Sequence, residues 1–310
     1  MRKRLLLIQP YSFALDSPLY VAPRDSSREA RLINFEEYGH LLADVEWDVN
    51  SGPVGPFGDS FIETREEFAT VGVLRLPIVR EACVSGQWDA IVLLGGGDPG
   101  FAEAREIGQR HGIPVVACAH AQMTVATMLG NRFSVLDVSE AHNMHMYNLV
   151  VQYRFTEKCA SVRCIDAPLP RPSRPGAGNA QAEKAVVEGG QPSEMLDRAV
   201  AEAVAAIEED GAESLILGCS AIYWMRPHLE RRLLALGWEV PVLEGYRAAI
   251  EMAKLLANLG LSASGLAFPR DNPRRFRRRK IFCPHGRPRA FIWFSFETAN
   301  LSVMEQWRRR

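Results

Sequence analysis

No run of about 18 apolar residues occurs in this 310-residue chain, so a membrane-spanning helix is excluded. Met1-Arg2-Lys3-Arg4 leads into only five apolar or neutral residues before Pro10, too few for the apolar region of a signal peptide. The six cysteines (Cys83, Cys118, Cys159, Cys164, Cys219 and Cys283) show neither metal-ligand nor disulfide-framework spacing. They read as free thiols in a reducing compartment, and the expected location is the cytoplasm, with no metal. There is no short repeat, and net charge is close to absent at −1. That near-zero value hides an asymmetry. Residues 269–310 carry twelve Lys/Arg against three acids, a net of +9, while the preceding residues carry about −10. The basic stretch, with its interleaved phenylalanines, is the only hint of nucleic acid, and its scarcity of periodic pattern makes it read as a poorly ordered extension.

What is present is a rhythm of strands and helices. Apolar β-type runs fall at 4–9, 45–49, 90–94, 114–118, 133–137, 162–165, 214–218 and 240–243, with helical patterns between most of them, which predicts a parallel α/β architecture. The Pro- and Gly-rich segment 168–191 breaks the rhythm and reads as a surface loop. Two strands end in glycine turns, at Leu94-Gly95-Gly96-Gly97 and at Leu217-Gly218-Cys219-Ser220.

The second turn is the most informative. It puts one cysteine at the carboxyl end of a strand, where the next helix begins and its unpaired N–H groups favour thiolate and can hold an anion. The alternative is a small buried apolar residue. Cys118 and His120 follow another strand end, and an imidazole with an ordinary pKa of about 6.5 suits proton shuttling. His142 and His145 lie three apart on a predicted helix and read as solvated or capping groups, with no third ligand to make a zinc site. Asp98 reads as an N-cap for the helix through 101–107. Gly95-x-Gly97-x-x-Gly100 meets the dinucleotide pattern in form, yet Asp98 and Pro99 stand where a pyrophosphate would need N–H groups, so no nucleotide cofactor is expected.

Several segments in order resemble the aspartate/glutamate/hydantoin racemase superfamily, nearest its hydantoin and allantoin racemase branch. They are Leu94-Gly95-Gly96-Gly97-Asp98-Pro99-Gly100, Gly112-Ile113-Pro114-Val115-Val116, Arg132-Phe133-Ser134-Val135, Ile216-Leu217-Gly218-Cys219, Val240-Pro241-Val242 and Leu266-Ala267-Phe268-Pro269. The resemblance implies two pseudosymmetric, Rossmann-like parallel-sheet domains facing each other across an active-site cleft, without a cofactor. On that scheme 1–118 with 240–268 form the first domain and 119–239 the second. Members place one cysteine from each domain on opposite faces of a carbon bearing an acidic proton. Here the first cysteine's position holds Gly95 and the second is Cys219, a pattern resembling the arylmalonate decarboxylases of the same superfamily.

The resulting expectation is a racemase or epimerase acting on an amino acid, hydantoin or related carboxylate or imide. Cys219 serves as acid/base and His120 as its weaker partner. Gln9, Pro10, Ser12, Gly95, Gly96, Gly97 and Ser220 bind substrate. The alternatives are a one-thiol decarboxylase or isomerase, or a non-catalytic ligand-binding protein on this scaffold. A small anionic or imide substrate and a homo-oligomer are compatible with the family, while Asp137 near the site opposes an anion unless it turns away or meets a cation.

Overall fold

The computed structural model describes residues 2–17, 26–174 and 180–269. Expectations for residues 270–310 and for 175–179 lie outside these residues. Among the described residues eight parallel strands form two four-stranded sheets. In the first, β1 (Arg4–Ile8) lies between β2 (Glu46–Asn50) and β3 (Ala90–Leu93), with β4 (Val115–Ala117) beyond β3. In the second, β5 (Phe133–Asp137) lies between β6 (Cys159–Cys164) and β7 (Ser214–Leu217), with β8 (Val242–Leu243) beyond β7. The second sheet thus repeats the order of the first. The 242–243 strand, placed with the first domain from sequence, pairs instead with Leu215 and Ile216 of β7.

Strand side chains alternate between faces, and each face has its own core. Leu5 and Leu7 of β1 join Leu215 and Leu217 of β7 in one cluster that continues through both halves, whereas Leu6 and Ile8 pack with Ile91 and Leu93 under α2 (Arg65–Ser85) and α3 (Phe101–His111). The shared cluster arises because the halves exchange helices. Helix α4 (Cys118–Leu129), which follows β4, packs on β7, and its Gln122 Nε2 donates to the Leu217 carbonyl at 2.9 Å. Helix α9 (Gly245–Leu259), which follows β8, packs on β3 and β4. Among the described residues no helix is long and apolar enough to cross a membrane.

Segment 168–191 differs from the loop expected of it. Only its first part is Pro- and Gly-rich. Ala180–Glu188, rich in alanine and glutamate, forms a helix, as helix propensity favours. Before it, Leu169 is buried, its N–H donates to Glu63 Oε1 at 2.9 Å, and Arg171 and Arg174 pair with the buried carboxylates of Glu67 and Glu63. The second half is thereby strapped to the start of α2, beside the site.

Candidate active site

The two glycine turns meet. A Cβ on Gly96 would lie 1.9 Å from the Gly218 carbonyl oxygen and 2.9 Å from Cys219 Cα, so only glycine permits this approach. Beneath the first turn, the buried Arg75 of α2 donates to the carbonyls of Ile8, Leu94 and Pro99, tying together the carboxyl ends of β1 and β3. Around the junction is a cavity of about 170 Å³. Its wall includes Gln9, Pro10, Ser12, Gly95, Gly96, Gly97, Cys219 and Ser220, all eight picked out from sequence, together with Tyr11, Arg31, His142 and Tyr246. The backbone N–H groups of Gly96, Gly97 and Cys219 have no acceptor among the described residues.

Cys219 is backed by Asp137, read from sequence as an acid near the site, and by His142, which sequence reasoning did not assign to it. Asp137 ends β5, next to β7 in the sheet, and helix α5 (Glu140–Gln152) begins three residues later, with Ser139 as its N-cap. This sharp return brings His142 Nδ1 to 2.5 Å from Asp137 Oδ2, with both side chains buried. His142 and Cys219 share the cavity wall, near enough for the thiol to favour the protonated imidazole. Burial works to lower the His142 pKa, but the Asp137 charge and hydrogen bond, together with Cys219, hold it well above its ordinary 6.5. Asp137 therefore does not present a bare charge to the cavity; His142 neutralises it. His145, one turn on, donates from Nε2 to the Gly97 carbonyl at 2.7 Å and stacks on Phe68. Burial drives its pKa down to about 4. Neither histidine is solvated or a cap. Among the described residues no group of three metal-binding side chains is assembled. The spacing of a strand-ending acid and a first-turn histidine five residues on was the available signal, but its partner Cys219 lies 77 residues further along and only the sheet order joins them.

His120 is not brought to the cavity. It sits among Phe101, Tyr153 and Phe155, and burial, aided by Arg105, lowers its pKa to about 4. Cys118 is fully buried, its Sγ donating to the Leu93 carbonyl at 3.4 Å, and burial pushes its pKa well above 9. Both residues belong to the first turn of α4, which sequence placed near the cleft. Asp98 explains the orientation: its carboxylate accepts from the N–H groups of Ala119 and His120, each at 2.8 Å, and from the Tyr153 hydroxyl at 3.0 Å. Asp98 thus caps α4, not α3, because the turn after β3 crosses over the neighbouring strand end. Among the described cysteines, Cys219 alone lines the cavity.

Arg31 was also missed. Among the described residues it is the one Arg or Lys on the cavity wall, held by the Val49 carbonyl at 3.2 Å from Nη1. Among the described residues its nearest carboxylate, Asp48, is 3.8 Å away, and its buried Nε has no partner. Opposite, the Tyr246 hydroxyl hydrogen-bonds Ser220.

Residues 54–253 match the family model described as Asp/Glu/Hydantoin racemase. The chain belongs to the Asp/Glu/Hydantoin racemase family. It is 32% identical over 185 residues to a hydantoin racemase of Rhizobium meliloti, covering 59% of this chain and 67% of that one. A hydantoin racemase of Pseudomonas sp. (strain NS671) is 31% identical over 197 residues, covering 62% and 69%. Among solved structures, an allantoin racemase from Klebsiella pneumoniae superposes with a TM-score of 0.60 at 26% identity, covering 87% of this chain and 95% of that one. Membership of this racemase family supports a racemase-type function.

Proposed function

We propose that this chain is a racemase or epimerase that moves a proton at an acidic carbon beside a carboxylate or imide carbonyl, with Cys219 as the acid/base and His142 as its proton partner. The observation that supports this most is the hydrogen-bonded pair Asp137–His142 standing beside Cys219 on a cavity between the two turns. Asp137 fixes the imidazole with Nδ1 inward, which leaves Nε2 for the thiol. The Cys219 sulfur takes the carbon-bound proton and shares it with His142, and inversion is completed when the planar intermediate takes a proton on its opposite face from solvent water. Charge that develops on the substrate carbonyl is met by the N–H groups of Gly96, Gly97 and Cys219 and by the Ser220 hydroxyl. The hydantoin racemases among the relatives make a hydantoin or related imide the first substrate class to try.

A second reading is favoured by one observation. Gly95, where the family resemblance implies the other cysteine, has a φ of 102°, and a Cβ there would stand 3.1 Å from the Pro10 ring. A thiol at that position is disfavoured by both strain and space. The opposite face of the substrate then lacks a matching sulfur, as a one-thiol decarboxylase or isomerase requires. Solvent deuterium tests both readings on a panel of 5-substituted hydantoins, allantoin, amino acids and arylmalonates. Exchange with inversion supports the racemase, and carbon dioxide release with one-sided deuteration supports the one-thiol enzyme. Absence of both across the panel overturns the proton-transfer reading.

A further inference from the structure

We propose that Cys219 is also a nucleophile toward small carboxylic esters and cyclic imides, so that the same cavity hydrolyses them through a thioester. Three observations carry the inference. First, the buried Asp137–His142 pair puts a second proton carrier on the cavity wall with Cys219, the set of groups that an acyl-transfer thiol and its leaving atom require. Second, three backbone N–H groups at the junction of the turns, those of Gly96, Gly97 and Cys219, lack acceptors among the described residues and are available to a carbonyl oxygen that becomes an oxyanion. Third, the cavity wall also includes Phe13, Phe61, Ile62 and Leu169, apolar side chains suited to an acyl group.

In the first step the sulfur, its proton passed to His142, attacks the carbonyl carbon and the π pair moves to oxygen. As the carbonyl re-forms, the bond to the leaving oxygen or nitrogen breaks and His142 supplies that atom's proton, leaving the acyl group on Cys219. Water then gives a proton to His142 while its oxygen attacks the thioester carbon. The C–S bond breaks, the acid departs, and the proton on His142 is again shared with the sulfur. Water is the only co-reactant.

The test uses p-nitrophenyl acetate with the full chain. A burst of one p-nitrophenolate per chain is expected, with one acetyl group mapped by peptide mass spectrometry to Cys219. His142→Gln is expected to slow the burst about a hundredfold, in the range of general acid–base contributions, with its folded state checked by circular dichroism. Acetyl groups on other residues only, or no burst at all, overturn the proposal without recourse to a variant. So does an unchanged rate in a folded His142→Gln chain. Deuterium exchange into a hydantoin, measured on the same preparation, separates the two readings. Acetylation at Cys219 without exchange supports nucleophilic chemistry and counts against the proton-transfer reading, while exchange without acetylation overturns the nucleophilic proposal alone.

Discussion

The first and second halves of this chain repeat one sheet order yet end their central strands in different chemistry. In the first half, β1 and β3 run out into Gln9 and Gly95, and the cation beneath them, Arg75, is spent on backbone carbonyls. In the second half, the corresponding β5 and β7 run out into Asp137 and Cys219, and His142 joins them. A duplicated fold therefore carries an unequal site. On the proposed function one side supplies the reacting groups, and the other supplies a glycine surface close enough for the two turns to touch.

Breaking the contact between the halves has the largest expected effect. Gly96→Ala puts a methyl against the Gly218 carbonyl, which no rotamer change relieves. A loss of about 4 kcal/mol or more in urea unfolding is expected, at the severe end for single substitutions. Next comes the second half's buried pair. Asp137→Ala leaves His142 without its charged partner and is expected to cost about 3 kcal/mol, measured the same way, with Asp137→Asn milder because a hydrogen bond remains.

The strands, the two turns and Cys219 were legible in the sequence because apolar runs and glycines report local backbone demands. Most of the predicted substrate-side residues follow from strand ends, which a repeated α/β fold gathers at one edge. His142 was not legible, since its place in the site depends on β5 lying beside β7, a pairing that crosses β6 and three described helices in the chain. His120 misled for the complementary reason: it does follow a strand end, but Asp98 captures its N–H and that of Ala119, which fixes the first turn of α4 with the imidazole among aromatic rings. Residues 180–188 were read with the prolines and glycines preceding them, although alanine and glutamate dominate that stretch.

Restoring symmetry at the first turn sharpens the comparison. Gly95→Cys is expected to destabilise the chain by about 1–2 kcal/mol, since a side chain at φ 102° is strained and meets Pro10. Gly95→Cys combined with Pro10→Ala is expected to recover the part due to crowding. A pH dependence is expected as well. His145 and His120 are held neutral when folded, at about 4 against an ordinary 6.5, so the unfolded chain binds more protons between these values. Stability contributed by keeping them neutral is full above pH 6.5 and falls as pH drops toward 4. His142 behaves oppositely, its contribution being present below pH 6.5 and lost only as pH rises through its elevated folded value. Melting temperature should therefore decline from pH 6.5 to 4, and His120→Phe should flatten that decline.

The central claim, that the second half's turn alone carries a reacting thiol worked by His142 and Asp137, is tested most directly by timed iodoacetamide labelling at pH 7, read cysteine by cysteine by mass spectrometry. The account predicts that Cys219 is alkylated faster than Cys83, Cys118, Cys159 and Cys164, and that Asp137→Asn slows Cys219 about tenfold or more while leaving the other four unchanged. Labelling of Cys219 no faster than those four, or at the same rate with Asp137→Asn, would contradict it.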